Sequence, residues 1–189
     1  MALPALLAPL SGVADILRGD RGGVAKLGHA TNAGLVASFV IPALLVLAPY
    51  AYLTGQRFET MGIDPDPAQM LLIEPLAYIV GWTLFPVVSH FYSARLGHTR
   101  DWYDFIAAYN WANVLQMGLY FPAAVLYELD LAPGLLFVVS VAVVSIAIAI
   151  HFRIARVALR VEPLPALVLV AMDLALSLTQ SRIVERLYT

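Results

Sequence analysis

The sequence predicts an all-α polytopic membrane protein: five transmembrane helices preceded by a short amphipathic interfacial helix. Three observations carry that prediction. Hydrophobic residues make up 61% of the 189 and charged residues only 13%, with a mean hydropathy of +0.81, far from the mix of a soluble domain. Five stretches, at about 32–53, 68–92, 103–127, 131–152 and 163–181, are each apolar over a length that can cross a bilayer. Between them lie short loops that hold more than half of the charged residues.

Residues 1–31 form the N-terminal segment. Leu3, Leu6, Leu10, Val13 and Leu17 recur on one face of a helix, with Ser11, Asp15 and Arg18 on a narrow opposite face. The segment is too short to span, and it lacks the basic start and small-residue cleavage pattern of a signal peptide. It reads as an interfacial helix or, equally, as an amphipathic helix packed on the bundle. Arg18-Gly19-Asp20-Arg21-Gly22-Gly23 breaks it.

Residues 32–189 form the bundle. The first span is free of charge from Asn32 to Leu53, and the acidic loop that follows ends in Asp64-Pro65-Asp66-Pro67, which opens the second. The second contains Glu74-Pro75 near its start and Pro86 and His90 near its end. The third is the pivot. No residue between Phe105 and Tyr127 is charged, yet Tyr109, Asn110, Asn113, Gln116 and Tyr120 fall within about a third of the helix circumference. Unpaired amides are costly in hydrocarbon, so this stripe must face protein, and Trp111, Leu115 and Pro122 face the other way. Glu128 and Asp130 make the next turn. The fourth span is almost wholly aliphatic, with Ala142, Ser145 and Ala149 as a close-contact seam. The fifth carries Asp173 near its middle.

Lysine and arginine set the expected orientation. One side holds eight (Arg18, Arg21, Lys26, Arg95, Arg100, Arg153, Arg156 and Arg160) and the other three (Arg57, Arg182 and Arg186). The positive-inside rule then places the N-terminus in the cytoplasm and the C-terminus in the periplasm of a bacterial inner membrane. The same basic rim can attract anionic lipid headgroups, worth about 1 kcal/mol per residue. A net charge of −2 offers no field for nucleic acid.

The arrangement of spans, with ILRGDRGG (16–23) before the first and DFIAAYNWANVLQM (104–117) on the third, resembles the bacterial branch of the Yip1 family. The resemblance implies a non-enzymatic five-helix membrane protein. Yip1-like proteins of eukaryotes bind small GTPases through a long N-terminal region, which the short segment here does not match, so no functional residue is carried over.

Three constellations bear on chemistry. The intramembrane polar cluster is Asp173 with Tyr109, Asn110, Asn113 and Gln116. Asp173 sits about 15 Å from either end of its span at the usual helical rise, where a carboxylate has no easy way to reach water. It reads either as a proton or cation site or as a hydrogen-bonded lock between the third and fifth spans. The second constellation is histidine: His29, His90, His98 and His151 all fall at or near the cytoplasmic face, and His90 with His151 is the candidate pair for a metal or haem iron. Third, Asp101 and Asp104 share a helix face at the start of the third span and could hold a cation, or could complement the helix dipole.

There is no cysteine, serine elbow, zinc-protease motif or phosphate loop. The expectation is therefore a non-enzymatic assembly, trafficking or accessory subunit with no cofactor. Its partners would be membrane lipids and a protein partner or second copy in the membrane. The alternatives are a small transporter or channel using Asp173 with Asn110, Asn113 and Gln116, and a b-type haem subunit.

Overall fold

The computed structural model describes residues 3–127 and 132–188, and among them the chain is helical with no strand. The order is α1 (Leu3–Arg18), a 3-10 segment (Arg21–Leu27), α2 (Asn32–Met61), α3 (Pro67–Arg95), α4 (Asp101–Tyr127), α5 (Pro133–Ala158) and α6 (Pro163–Tyr188). The turn expected at Glu128 and Asp130, with residue 131 at the start of the fourth span, lies outside the described residues. So do the side chains of Leu3 and Leu6.

Of these helices, α2, α3, α5 and α6 are long and apolar enough to cross a membrane. At 27 residues α4 has the length, but its amides and tyrosines leave it less apolar. Packing explains how it tolerates them. Helix α4 touches α1, α2, α3 and α5, and every residue from Phe105 to Ala112 is 9% exposed or less. Over that stretch the helix is enclosed and needs no lipid-compatible face, whereas Gly118, Phe121 and Pro122 in its second half are exposed. Trp111, on the face opposite the polar stripe, is buried as well, at 2% exposed.

The apolar stretches understate the helices. Helix α2 continues eight residues past Leu53, to Met61, because Gln56, Arg57 and Glu59 favour helix and only Gly62, with φ +63°, terminates it. A fall in hydropathy marks where a helix meets polar surroundings, not where it stops. At the other end Thr31 accepts from the Gly34 amide (3.0 Å), and Asp66 caps α3 by accepting from the Ala68 amide (2.8 Å) with Pro67 in the first turn.

Consecutive helices alternate in direction, so the bundle has two ends. Helix α1 and the 3-10 segment cover the end where α4 and α6 begin and α3 and α5 finish. There the core is dense: Val13 and Ile16 of α1 join Phe105, Ile106, Ile154, Leu159 and Ala166. Helix α1 and the 3-10 segment approach so closely that a Cβ on Gly23 would sit 2.2 Å from the Gly12 carbonyl oxygen. The far end is looser. The outer face of α5 there is bare, with Phe137 and Val138 more than 60% exposed. Ala142, Ser145 and Ala149 are also exposed, so the expected small-residue seam is not a contact within the chain.

Candidate functional site

Asp173 is the hub of the site. It is 7% exposed on α6 and accepts from two other helices: the Tyr109 hydroxyl of α4 (2.9 Å to Oδ1) and His151 Nδ1 of α5 (2.8 Å to Oδ2). Behind the imidazole, the Gln116 amide nitrogen lies 2.5 Å from His151 Nε2. With that nitrogen donating to Nε2, Nδ1 carries the ring proton and the imidazole is neutral. Turning the Gln116 amide over would present its oxygen instead, a partner that only an imidazolium can satisfy with both nitrogens donating. The Tyr109 ring packs on both His151 (centroids 4.8 Å apart) and Phe85 (4.7 Å).

Two expectations change here. His151 is turned into the bundle, its side chain 14% exposed, and α5 runs on past it to Ala158. Both of its nitrogens are engaged, which leaves no lone pair for a metal, while His90 packs edge-on against Trp102 (4.7 Å) elsewhere. Among the described residues no group of three or more His, Cys, Asp or Glu side chains is placed to hold a metal. Asn110 also leaves the expected cluster. It is fully buried, but neither side-chain polar atom has a partner and it does not share the space that Tyr109, Asn113, Gln116, Tyr120 and Asp173 line.

That space is a cavity of about 320 Å³ between α2, α3, α4 and α6. It runs from Asp173 and Tyr109 near the middle of the bundle to Arg57 and Val184 toward the far end. Its walls are aromatic and polar in turn. Tyr50 packs at a tilt against Tyr78 (4.7 Å) and Tyr78 edge-on against Trp82 (6.1 Å), while Ser177 and Gln180 line the cavity from α6. The Tyr78 hydroxyl donates to the Ala43 carbonyl. Arg57 and Tyr120 also line a second groove, of about 590 Å³, between α2, α4 and α5.

At the far end, Glu74 joins three helices. Its carboxylate accepts from Tyr50 (2.8 Å) and Arg57 (3.0 Å) of α2 and from Tyr188 of α6 (3.1 Å). Helical period could place Glu74 near a surface, but the partners 17, 24 and 114 residues away carry no signal in the sequence. Tyr109 was legible as part of the stripe; its bond to Asp173 was not.

The acids at the start of α4 are occupied by protein cations. Arg21 reaches Asp101 (2.9 Å) and Asp104 (3.0 Å), His29 meets Asp104 (2.7 Å), and His98 and Arg160 approach Asp101 (3.2 and 3.6 Å). They dock the N-terminal segment on α4, so that residues 16–23 and 104–117 meet through Arg21 and Asp104. Of the basic rim, Arg153 donates to the Leu17 carbonyl (3.3 Å) and Arg156 to that of Val161 (2.8 Å), while Arg18 pairs with Asp15 (3.1 Å). Arg95 and Arg100 are exposed. Comparison with protein-family models, curated proteins and solved structures finds no match.

Proposed function

We propose that this chain is a five-span membrane carrier that binds a small solute in the cavity and exchanges a proton at the Asp173–His151 pair. The observation that supports it is a buried carboxylate on the wall of a polar-lined cavity, hydrogen-bonded to an imidazole on another helix. Ionisable groups inside a bundle are costly and mark ion or proton paths more often than packing. An accessory or assembly subunit, the reading favoured by sequence, needs Asp173 only as a lock; a 320 Å³ cavity beside it serves no lock.

In this proposal α4 is the fifth span, packed against α1, α2, α3 and α5. The eight lysines and arginines at the α1 end, against three at the far end, put the N-terminus in the cytoplasm of a bacterial inner membrane and the C-terminus outside. Helix α1 then lies at the cytoplasmic interface, with Arg18, Arg95 and Arg100 toward anionic headgroups. The Glu74 cluster stands at the outer end of the cavity, where breaking it would let α2, α3 and α6 part.

The sequence has no cysteine, so single-cysteine variants report directly. Ser177→Cys on the cavity wall should react with a membrane-impermeant maleimide from the outer face of oriented vesicles. Val138→Cys, on the bare face of α5, should not. Failure of Ser177→Cys to react from either face would remove the carrier reading and leave the subunit reading in place.

A further inference from the structure

Resting on the carrier reading, we infer that the cavity takes an organic cation, an amine or quaternary ammonium group, held by the Asp173 carboxylate and the surrounding aromatic rings, and that protonation of His151 expels it.

Charge comes first. Two ion pairs border the cavity and they are not equivalent. Arg57 is matched by Glu74 at 3.0 Å, so the outer pair is neutral as it stands. Asp173 faces an imidazole, which balances the carboxylate only when it is protonated, so with a neutral ring the inner carboxylate lacks a countercharge. The other titratable groups facing it are phenols: Tyr109 and Tyr120 from α4, Tyr50 from α2 and Tyr78 from α3. From α6 itself no second charged residue lines the cavity. The inner chamber therefore carries one negative charge that a ligand can neutralise.

Wall chemistry decides the class of cation. Sodium or calcium asks for about six or more oxygens at roughly 2.3–2.6 Å, and it would leave most of 320 Å³ unfilled. The rings of Tyr50, Tyr78, Trp82, Phe85, Tyr109 and Tyr120 instead present π-faces and edges around a space large enough for an ammonium with several carbon substituents. Such rings attract a desolvated organic cation through their quadrupoles, and a carboxylate at one end orients its charge.

Proton coupling follows from the same atoms. A proton taken by His151 Nε2 makes the ring an imidazolium, with Gln116 turned to offer its oxygen. Asp173 then has a countercharge 2.8 Å away and no longer needs the ligand. Loss of that proton restores the vacancy in charge. Cation out for proton in leaves the net charge of the chamber unchanged.

The test uses the full-length Ser177→Cys protein in liposomes, with a trimethylammonium-ethyl methanethiosulfonate reagent against its sulfonate analogue. Cationic reagent should label faster by about tenfold or more at pH 8, relative to the two reagents' rates on free thiol, and benzyltrimethylammonium should slow it. The preference should shrink at pH 5.5 and vanish in an Asp173→Asn background. Equal labelling by both reagents, unprotected by benzyltrimethylammonium, would overturn the cation assignment while sparing the carrier reading; no labelling by either would sink the carrier reading itself. Should Asp173→Asn fail to fold, quenching of Trp82 fluorescence by benzyltrimethylammonium in the otherwise unaltered chain, with a Trp82→Phe control, decides the matter. Quenching lost at pH 5.5 is the expected result, and a signal unchanged by Trp82→Phe or by pH counts against it.

Discussion

Replacing Glu74 with leucine removes an acceptor that joins α2, α3 and α6 at one point. Its side chain is 12% exposed and receives three donors at 2.8–3.1 Å. Removing one partner of a buried pair costs about 3–5 kcal/mol because the other charge stays behind. Arg57 is 28% exposed, so part of that cost is recovered by water, and hydrogen bonds between membrane helices average only about 0.6 kcal/mol. A loss of about 2–4 kcal/mol remains, or about 5–12 °C in midpoint for a chain of this size. Glu74→Gln keeps the oxygen that serves Arg57 and Tyr188 and can donate to the Tyr50 hydroxyl, so it should cost about 1 kcal/mol. The informative variant is the double replacement Arg57→Met with Glu74→Leu. It removes the stranded charge and should recover about 1–2 kcal/mol relative to the sum of the single losses. Reversible unfolding in mixed micelles, followed by circular dichroism, measures the unaltered chain, Glu74→Leu, Glu74→Gln, Arg57→Met and the double variant. A double variant as unstable as the sum of the two single ones would refute the reasoning, because it would mean that the ion pair does not couple α2 to α3.

Three further outcomes are expected. Trp111→Ala, at a position 2% exposed, should destabilise the bundle by about 3–5 kcal/mol in the same unfolding assay, where a lipid-facing tryptophan would tolerate the change. Gly23→Ala forces a Cβ to within 2.2 Å of the Gly12 carbonyl oxygen, so the 3-10 segment should lift from α1; faster trypsin cleavage at Arg21 and Lys26 would report it, with α2–α6 intact. The hydrogen bond from Lys26 to Asp15 (2.6 Å) holds the Asp15 carboxyl below its usual range, with Arg18 assisting and desolvation opposing. Asp15 therefore stabilises the α1 docking above the unfolded-state pKa, near 3.8, and that contribution is lost as pH falls through the lower folded value. The protection factors of the Arg21–Leu27 amides, taken relative to the intrinsic exchange rate at each pH, should fall on going from pH 5 to pH 3, and Asp15→Asn should abolish the difference.

What the sequence determined by itself is the helical class, the approximate place of each helix and the odd chemistry of α4. Those rest on local quantities: apolar length, the 3.6-residue period, and the prolines of Asp64-Pro65-Asp66-Pro67 that open the second span. Asp173 could also be singled out, since a carboxylate midway along an apolar helix is unusual whatever surrounds it. Partners were another matter. Period assigns residues to a face of one helix but does not say which helix that face meets, so the bonds from His151 and Tyr109 to Asp173, and from Arg57 and Tyr188 to Glu74, were invisible. The burial of Trp111 could not be read for a related reason: protein and lipid tails are both apolar, and hydropathy cannot tell a side chain buried against other helices from one facing hydrocarbon. Only the tertiary structure decided that α4 is enclosed from Phe105 to Ala112, that the dense core lies under α1, and that the looser far half leaves a cavity beside Asp173. Those outcomes depend on the rotation and spacing of helices about one another, which are set by packing summed over the whole bundle.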